Sequence, residues 1–324
     1  MKVILPLAGL GTRMRPHTWS KPKPLISIAG KPVLGHVLDM LAPLDVDEVI
    51  FIVGWLGGQV QEYVEANYSF KTRYVVQEEL KGQAHAIYLA KEYISGPSLI
   101  IFVDTIFEAN LDDLAGRGMD ALLFTQEVED PRRFGVAVQE NGQVVRLIEK
   151  PSGFEHRDAV VGVYYIREGA ELISAIDHLL AHDLRTRGEF YLADAFQVMI
   201  DRGARIACEP VGAWEDCGQP DAVLHTQRYL MDRGHTQEIP VSDSVLIPPV
   251  HVAASARIEN AVVGPYVTVG EGATIRDAVV RDSIIEAGAT VQGLCVERTL
   301  VGRRAQIKAA PRVLNVGDDD ALEL

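Results

Sequence analysis

A chain of 324 residues, 48% hydrophobic and 23% charged, has apolar material for one large domain, or for a large domain with a small companion. Its formal charge of -14 excludes a protein whose work is neutralising nucleic-acid phosphates, so any anionic ligand has to be held by a local cluster. No run approaches the about 18 apolar residues of a membrane helix, and the dispersed Cys208, Cys217 and Cys295 make neither a disulfide framework nor zinc spacing, which together point to a cytoplasmic protein whose N-terminus is mature structure rather than a signal peptide.

Residues 2–7 form an apolar run ended by Ala8-Gly9, which reads as a buried strand and a turn, and residues 48–53 and 98–103 repeat the pattern. Helical stretches at 33–41, 59–66 and 83–93 alternate with them, so a mostly parallel sheet follows, with its ligands beyond the carboxyl ends of the strands. The loop after residue 8 and Asp104 therefore share one rim. Residues 135–140 and 143–148 flank Asn141-Gly142, a favoured hairpin turn, which makes the sheet mixed. A strand at 160–166, helices at 170–181 and 191–201, and a helix near 221–231 complete the first domain. The second of those helices ends at Arg202-Gly203, as a helix C-terminus should.

Beyond a polar linker the sequence becomes self-similar. Val252, Val269, Ile285 and Val301 are spaced by 17, 16 and 16, and Ile258, Ile275, Val291 and Ile307 keep the same spacing. Val263, Val280 and Val296 follow at 17 and 16. Three apolar registers with one period predict a three-sided coil whose turns stack their inward side chains. The pattern resembles the left-handed parallel β-helix built from hexapeptide repeats. An acidic tail containing Asp318, Asp319 and Asp320 closes the chain.

The loop Gly9-Leu10-Gly11-Thr12-Arg13 brings backbone N–H groups to where phosphate oxygens can approach, and adds the fixed charge of Arg13. It lacks the Gly-Lys-Ser/Thr ending of a Walker loop. It continues as Met14-Arg15-Pro16, then Lys21-Pro22-Lys23-Pro24-Leu25 and Gly30-Lys31-Pro32. This series resembles the signature of sugar-1-phosphate nucleotidylyltransferases, G-x-G-T-R-x-x-P followed by P-K-P-L and K-P. The resemblance extends through Gln77 with Lys81-Gly82, Asp104, Phe134-Gly135, Glu149-Lys150-Pro151 and Trp214-Glu215-Asp216-Cys217-Gly218, in family order.

The resemblance implies a Rossmann-like mixed sheet flanked by helices, the nucleotide-diphospho-sugar transferase fold, with a small C-terminal left-handed β-helix. It implies a catalytic domain at 1–235, a linker at 236–244, the β-helix at 245–314 and the tail at 315–324. The reaction would join a sugar 1-phosphate to a nucleoside triphosphate and release pyrophosphate. Arg13, Lys23, Asp104 and Asp216 would be catalytic, the two aspartates holding Mg²⁺. Leu7, Ala8, Gly9, Leu10, Gly11, Thr12, Arg13, Gln77 and Gly82 would bind nucleotide, and Gly135, Glu149, Lys150 and Gly162 the sugar phosphate. Lys21 and Arg15 are expected nearby and more solvated. No nucleophile or general base is needed, because a sugar phosphate is already ionised.

The sequence departs from the family at Val103, where Gly is usual, and at Gln83, where Thr or Leu is usual. It also has one loop glycine fewer than short-form thymidylyltransferases. Glucose 1-phosphate with dTTP is the first expectation, since the layout resembles long-form glucose-1-phosphate thymidylyltransferase, with UTP, or GTP and mannose 1-phosphate, as alternatives. A non-catalytic homologue that binds sugar nucleotide is the competing class. Acyl transfer by the coils is disfavoured, because the coil segment contains only His251. Subunit contacts making a homo-oligomer are the expected role of the coils.

Overall fold

The computed structural model describes residues 1–310, 313–319 and 321. They form two compact units, Met1–Ile26 with Lys31–Ala222, and Ser27–Gly30 with Val223–Leu324.

The first unit is built on a nine-stranded mixed sheet. Its parallel half has Lys2–Pro6 between Glu48–Val53 and Ser98–Ile101, with Thr72–Val76 outside Glu48–Val53. Glu48–Val53 and Ser98–Ile101 are buried throughout, as strands covered on both faces require. The antiparallel half begins where Asp158–Ile166 pairs with Ser98–Ile101. Beside it lie Ala121–Glu127 and the hairpin Gly135–Glu140 with Gln143–Glu149. At the tip of that hairpin Asn141 and Gly142 have φ of 51° and 76°, the two positive values a type I′ turn needs. One core cluster packs Ile4, Ile50, Ile100 and Leu123 of the sheet against Ile87, Leu172, Ile176 and Phe196 of the helices.

The strand expected over 98–103 stops at Ile101, although the N–H of Phe102 still donates across to Gly162 O at 2.9 Å. The chain passes through a turn at Val103 and Asp104 and starts again as Thr105–Glu108, paired antiparallel with Ala213–Asp216 in a separate ribbon. The helix expected over 83–93 is Gln83–Leu89, followed by a 3-10 turn at Lys91–Tyr93. Tyr191 caps the helix Leu192–Asp201 instead of opening it.

The second unit is a coil of three parallel four-stranded sheets. Each column expected from the spacing is found in register. Val252 pairs in turn with Val269, Ile285 and Val301, while Ile258 leads to Ile275, Val291 and Ile307, and Val263 to Val280 and Val296. The buried Gln227 fixes helix residues 223–232 to these turns, donating to Tyr266 O at 2.9 Å and accepting from Thr268 Oγ1 at 2.7 Å. Residues 311 and 312 of the expected coil domain, and 320 and 322–324 of the expected tail, lie outside the described residues; 315–319 and 321 carry no helix or strand. No described helix is long and apolar enough to cross a membrane.

Candidate active site

The carboxyl ends of Lys2–Pro6 and Ser98–Ile101 open onto a cavity of about 410 Å³. Leu7 is held at this rim by its N–H, which donates to Ile52 O at 2.7 Å. Gly11 then turns left-handed at φ 59° and starts the 3-10 turn Thr12–Met14, whose Met14 is fully buried while Arg13 stays exposed. Thr18 Oγ1 pins this loop by donating to Gly11 O at 2.8 Å. A Cβ at Gly9 would face open space, so the loop backbone is accessible to a ligand. Gly82, with φ of 108°, forms the opposite wall, and a Cβ there would overlap the carbonyl of Phe190. Gln77 is buried at 7% exposure, and its Nε2 donates to Glu79 O at 3.1 Å.

A second cavity, of about 590 Å³, is walled by side chains of the antiparallel strands and of the short ribbon. Asp158–Ile166 has a register shift between Val160 and Tyr164, and Gly162 lies inside it at φ 84°, a bulge that re-aims the strand at the rim. Glu149 pairs with Gly135 across the hairpin, and a Cβ at Gly135 would stand 3.0 Å from Glu149 Oε2. The Glu149 side chain is only 12% exposed, and burial pushes its carboxyl above the ordinary range even though Lys150, 3.6 Å away, pulls the other way. Lys150 has a positive φ of 48° and donates from Nζ to Tyr191 Oη at 3.1 Å. Burial works against its charge, but the hydrogen bond to Tyr191 and the nearby Glu149 outweigh it and raise its pKa.

Arg13, Gln83, Phe102 and Asp104 line both cavities, which therefore meet at one wall. Lys23 reaches this wall from the 3-10 turn Lys23–Leu25, its Nζ 3.2 Å from Asp104 Oδ2. Asp216 joins it from the ribbon, where it pairs with Thr105, while Cys217 N–H donates to Asp104 O at 2.9 Å. The Asp216 carboxylate is oriented by Gly218 N–H at 2.7 Å. A Cβ at Gly218 would stand 3.1 Å from Arg13 Nη2, which brings that guanidinium beside Asp216. Two cations and two carboxylates thus converge locally in a strongly acidic chain.

All the expected nucleotide residues line the first cavity except Leu10, whose side chain is 48% exposed and lies with Trp55 in a neighbouring groove. All the expected sugar-phosphate residues line the second. Lys21 is a correction: it is 9% exposed and lines neither cavity, because the turn at Lys23–Leu25 presents only the second lysine. Arg15 also lies outside both, its guanidinium 4.0 Å above the Trp19 ring. Val103 is buried in the wall of the first cavity, and Asp104 beside it keeps a side chain 47% exposed. Trp214, Tyr191, Arg133 and Thr105 also line the second cavity without having been assigned a site role from the sequence. Only Trp214, inside a recognisable motif, carried a signal that could have found it.

No group of three or more His, Cys, Asp or Glu suited to a metal occurs among the described residues. Asp104 and Asp216 supply two carboxylates at the shared wall. That donor set fits a Mg²⁺ that takes its remaining ligands from phosphates and water.

A mixed sheet with a glycine loop at its carboxyl edge, opposed cations and carboxylates, and two adjoining cavities defines an enzyme of phosphate-ester group transfer. The chain belongs to the nucleotidyl transferase family, which it matches over residues 2–233. Residues 234–282 match the GlmU-like C-terminal hexapeptide family, so the coil is a left-handed parallel β-helix. The chain is 29% identical to a glucose-1-phosphate thymidylyltransferase of Streptomyces griseus, over 97% of this chain and 95% of that one. It is 30% identical to the low-salt glycan biosynthesis nucleotidyltransferase Agl11 of Haloferax volcanii, over 100% of both. The fold superposes on UDP-glucose pyrophosphorylase complexed with UDP-glucose with a TM-score of 0.63 at 20% identity, covering 72% of this chain and 98% of that one.

Proposed function

We propose that this nucleotidyltransferase joins glucose 1-phosphate to dTTP, giving dTDP-glucose and pyrophosphate, in a catalytic domain at 1–235. The observation that carries the reading is the meeting of the two cavities at Arg13 and Asp104. A sugar phosphate on one side of that wall can attack the α-phosphorus of a nucleotide on the other. One P–O bond forms between the sugar phosphate and the α-phosphorus, and the α–β bridging bond breaks.

Arg13 and Lys23 screen the two anions from each other and stabilise charge growing on the departing pyrophosphate. Asp104 and Asp216 would hold Mg²⁺, which when bound supplies further neutralisation of the α-phosphate. Glu149 accepts hydrogen bonds from sugar hydroxyls, Lys150 meets the sugar phosphate, and Gly135 and Gly162 leave space for the ring. The loop from Leu7 to Arg13 receives the triphosphate on its backbone. Gln77 has its amide N–H₂ engaged with Glu79 O, which leaves the carbonyl oxygen to accept an imide N–H. Thymine, uracil and guanine present that group, whereas adenine and cytosine do not.

Cys208, Cys217 and Cys295 form no disulfide among the described residues, which supports a reducing, cytoplasmic setting. The outward column Val245, Val262, Val279 and Cys295 supports a role for the β-helix in subunit contacts, and sedimentation as a monomer would remove it. His251 is packed against Gly30, where a Cβ would overlap its ring, an arrangement that does not favour acyl transfer.

The test is pyrophosphate release with dTTP, UTP, GTP, ATP and CTP, each with glucose 1-phosphate and mannose 1-phosphate, with and without Mg²⁺. Fastest Mg²⁺-dependent turnover with dTTP and glucose 1-phosphate is expected. Absence of turnover with every pair, together with thermal stabilisation by a sugar nucleotide, would instead favour a non-catalytic binding protein.

A further inference from the structure

The ribbon of Thr105–Glu108 and Ala213–Asp216 turns one face to the sugar-side cavity. Thr105 is paired with Asp216 and Phe107 with Trp214, so strand alternation brings these four to that face, and three of them line the cavity. Two polar atoms on it are buried without any hydrogen-bond partner, Thr105 Oγ1 and Trp214 Nε1. Thr105 is 5% exposed, so its hydroxyl is withdrawn from bulk water as well as from the protein.

A buried hydroxyl left unpaired makes the folded state less stable than a valine of the same shape would. A threonine at such a position is accounted for when a ligand completes its hydrogen bonding. The location narrows the ligand. Thr105 follows Asp104 and faces Asp216, at the reacting end of the cavity, and it is absent from the nucleotide-side wall. Glu149 and Gly162 serve the ring.

We propose that the Thr105 hydroxyl, turned by rotation about Cα–Cβ into the cavity that Thr105 lines, donates a hydrogen bond to a phosphate oxygen of the sugar 1-phosphate, and so is a recognition residue for that substrate. The inference rests on the assignment of this cavity to the sugar phosphate. Thr105→Val removes the hydroxyl and keeps the shape, and Thr105→Ser restores it.

Thr105→Val is expected to raise KM for glucose 1-phosphate about tenfold or more while leaving KM for the nucleoside triphosphate within twofold, and Thr105→Ser to stay within threefold of the parent. The Tm of ligand-free Thr105→Val should equal or exceed that of the parent, because the unpaired group is gone. A structural hydroxyl would instead lower Tm and disturb both KM values, and that result overturns the inference. Calorimetric titration with glucose 1-phosphate separates the two levels. Turnover by the parent with equal glucose 1-phosphate affinity in parent and Thr105→Val sinks the inference and leaves the reaction standing. Weakened binding in Thr105→Val without turnover by the parent supports the inference and sinks the reaction. No binding of glucose 1-phosphate to the parent overturns both.

Discussion

The two cavities are made of different material. The cavity proposed for the nucleotide is largely backbone: a loop turned by Gly11, a wall at Gly82 that excludes any Cβ, and an exposed Arg13. The cavity proposed for the sugar phosphate is largely side chains on antiparallel strands, with the pKa values of Glu149 and Lys150 both raised and two donors left unpaired. Backbone amides hold a triphosphate whatever the pH, and they depend on glycine at particular dihedrals. Desolvated side chains read hydroxyls and charges, and their grip varies with protonation. Damage on the first side should therefore register as lost fold and nucleotide affinity, and damage on the second as altered sugar affinity and pH response.

The shared wall belongs to neither class, and the largest effect is expected there. Asp216→Asn and Asp104→Asn each keep the shape and remove a charge, and each should lower kcat about a hundredfold or more with either substrate saturating. Pyrophosphate release measures this. A kcat within threefold of the parent in either variant would remove that aspartate from the proposed metal pair.

Next comes Gly82→Ala, which sharpens the comparison from the backbone side. The φ of 108° is unfavourable for alanine, and the added methyl collides with Phe190 O. Main-chain overlap of this kind costs about 2 kcal/mol or more. A lower Tm and a roughly tenfold higher KM for the nucleotide should appear, with KM for the sugar phosphate little changed. Equal rises in both KM values would mean that the two sides are not independently built.

What the sequence made legible follows the same division. The glycine loop and the β-helix columns could be read because each depends on a local or periodic rule: a turn after a strand, and one apolar position per face per turn. Val252, Val269, Ile285 and Val301 pair in the register their spacing implied. The sugar-side residues converge from distant strands, and no local rule relates Thr105 to Trp214, or Lys150 to Tyr191. The edge strand Thr72–Val76 and the ribbon Thr105–Glu108 were hidden as well. The first is half-exposed with little alternation, and the second begins just past the end of Ser98–Ile101, beyond a short turn at Val103 and Asp104. Lys21 was misjudged because composition does not say which lysine of a Lys-Pro-Lys-Pro run the turn will present.

Glu149→Gln probes the side-chain cavity through pH. Burial raises the folded-state pKa of this carboxyl, so its ionisation opposes folding. Its contribution to stability is present in acid, below the unfolded-state value, and is lost as pH rises through the folded one. Glu149→Gln should therefore melt higher than the parent at neutral pH, with the difference fading toward pH 4. Its KM for sugar phosphate should rise about tenfold, because an amide accepts less strongly than a carboxylate. In the parent, sugar affinity should weaken as pH falls through a value above the ordinary carboxylate range, and the variant should lack that limb. A lower Tm at neutral pH would show that the ion pair with Lys150 outweighs burial.

The smallest effect is expected at Tyr191→Phe, which tests how finely the sugar side is tuned. The change removes one hydrogen bond, from Lys150 Nζ to Tyr191 Oη at 3.1 Å. The ring that lies 5.0 Å from the ammonium stays in place, so the cation–π attraction is retained. A single bond to a charged group in a half-buried setting contributes about 1 kcal/mol, which corresponds to about a fivefold rise in KM for the sugar phosphate. Because Tyr191 acts through Lys150, kcat and KM for the nucleotide should not move. Lys150 is also held by backbone, since its N–H donates to Phe134 O at 2.9 Å and its carbonyl accepts from Arg187 Nη2 at 3.0 Å. A fall in kcat with unchanged KM would mean that Tyr191 orients the lysine for the transition state rather than for binding, and would move this residue from the sugar side to the shared wall.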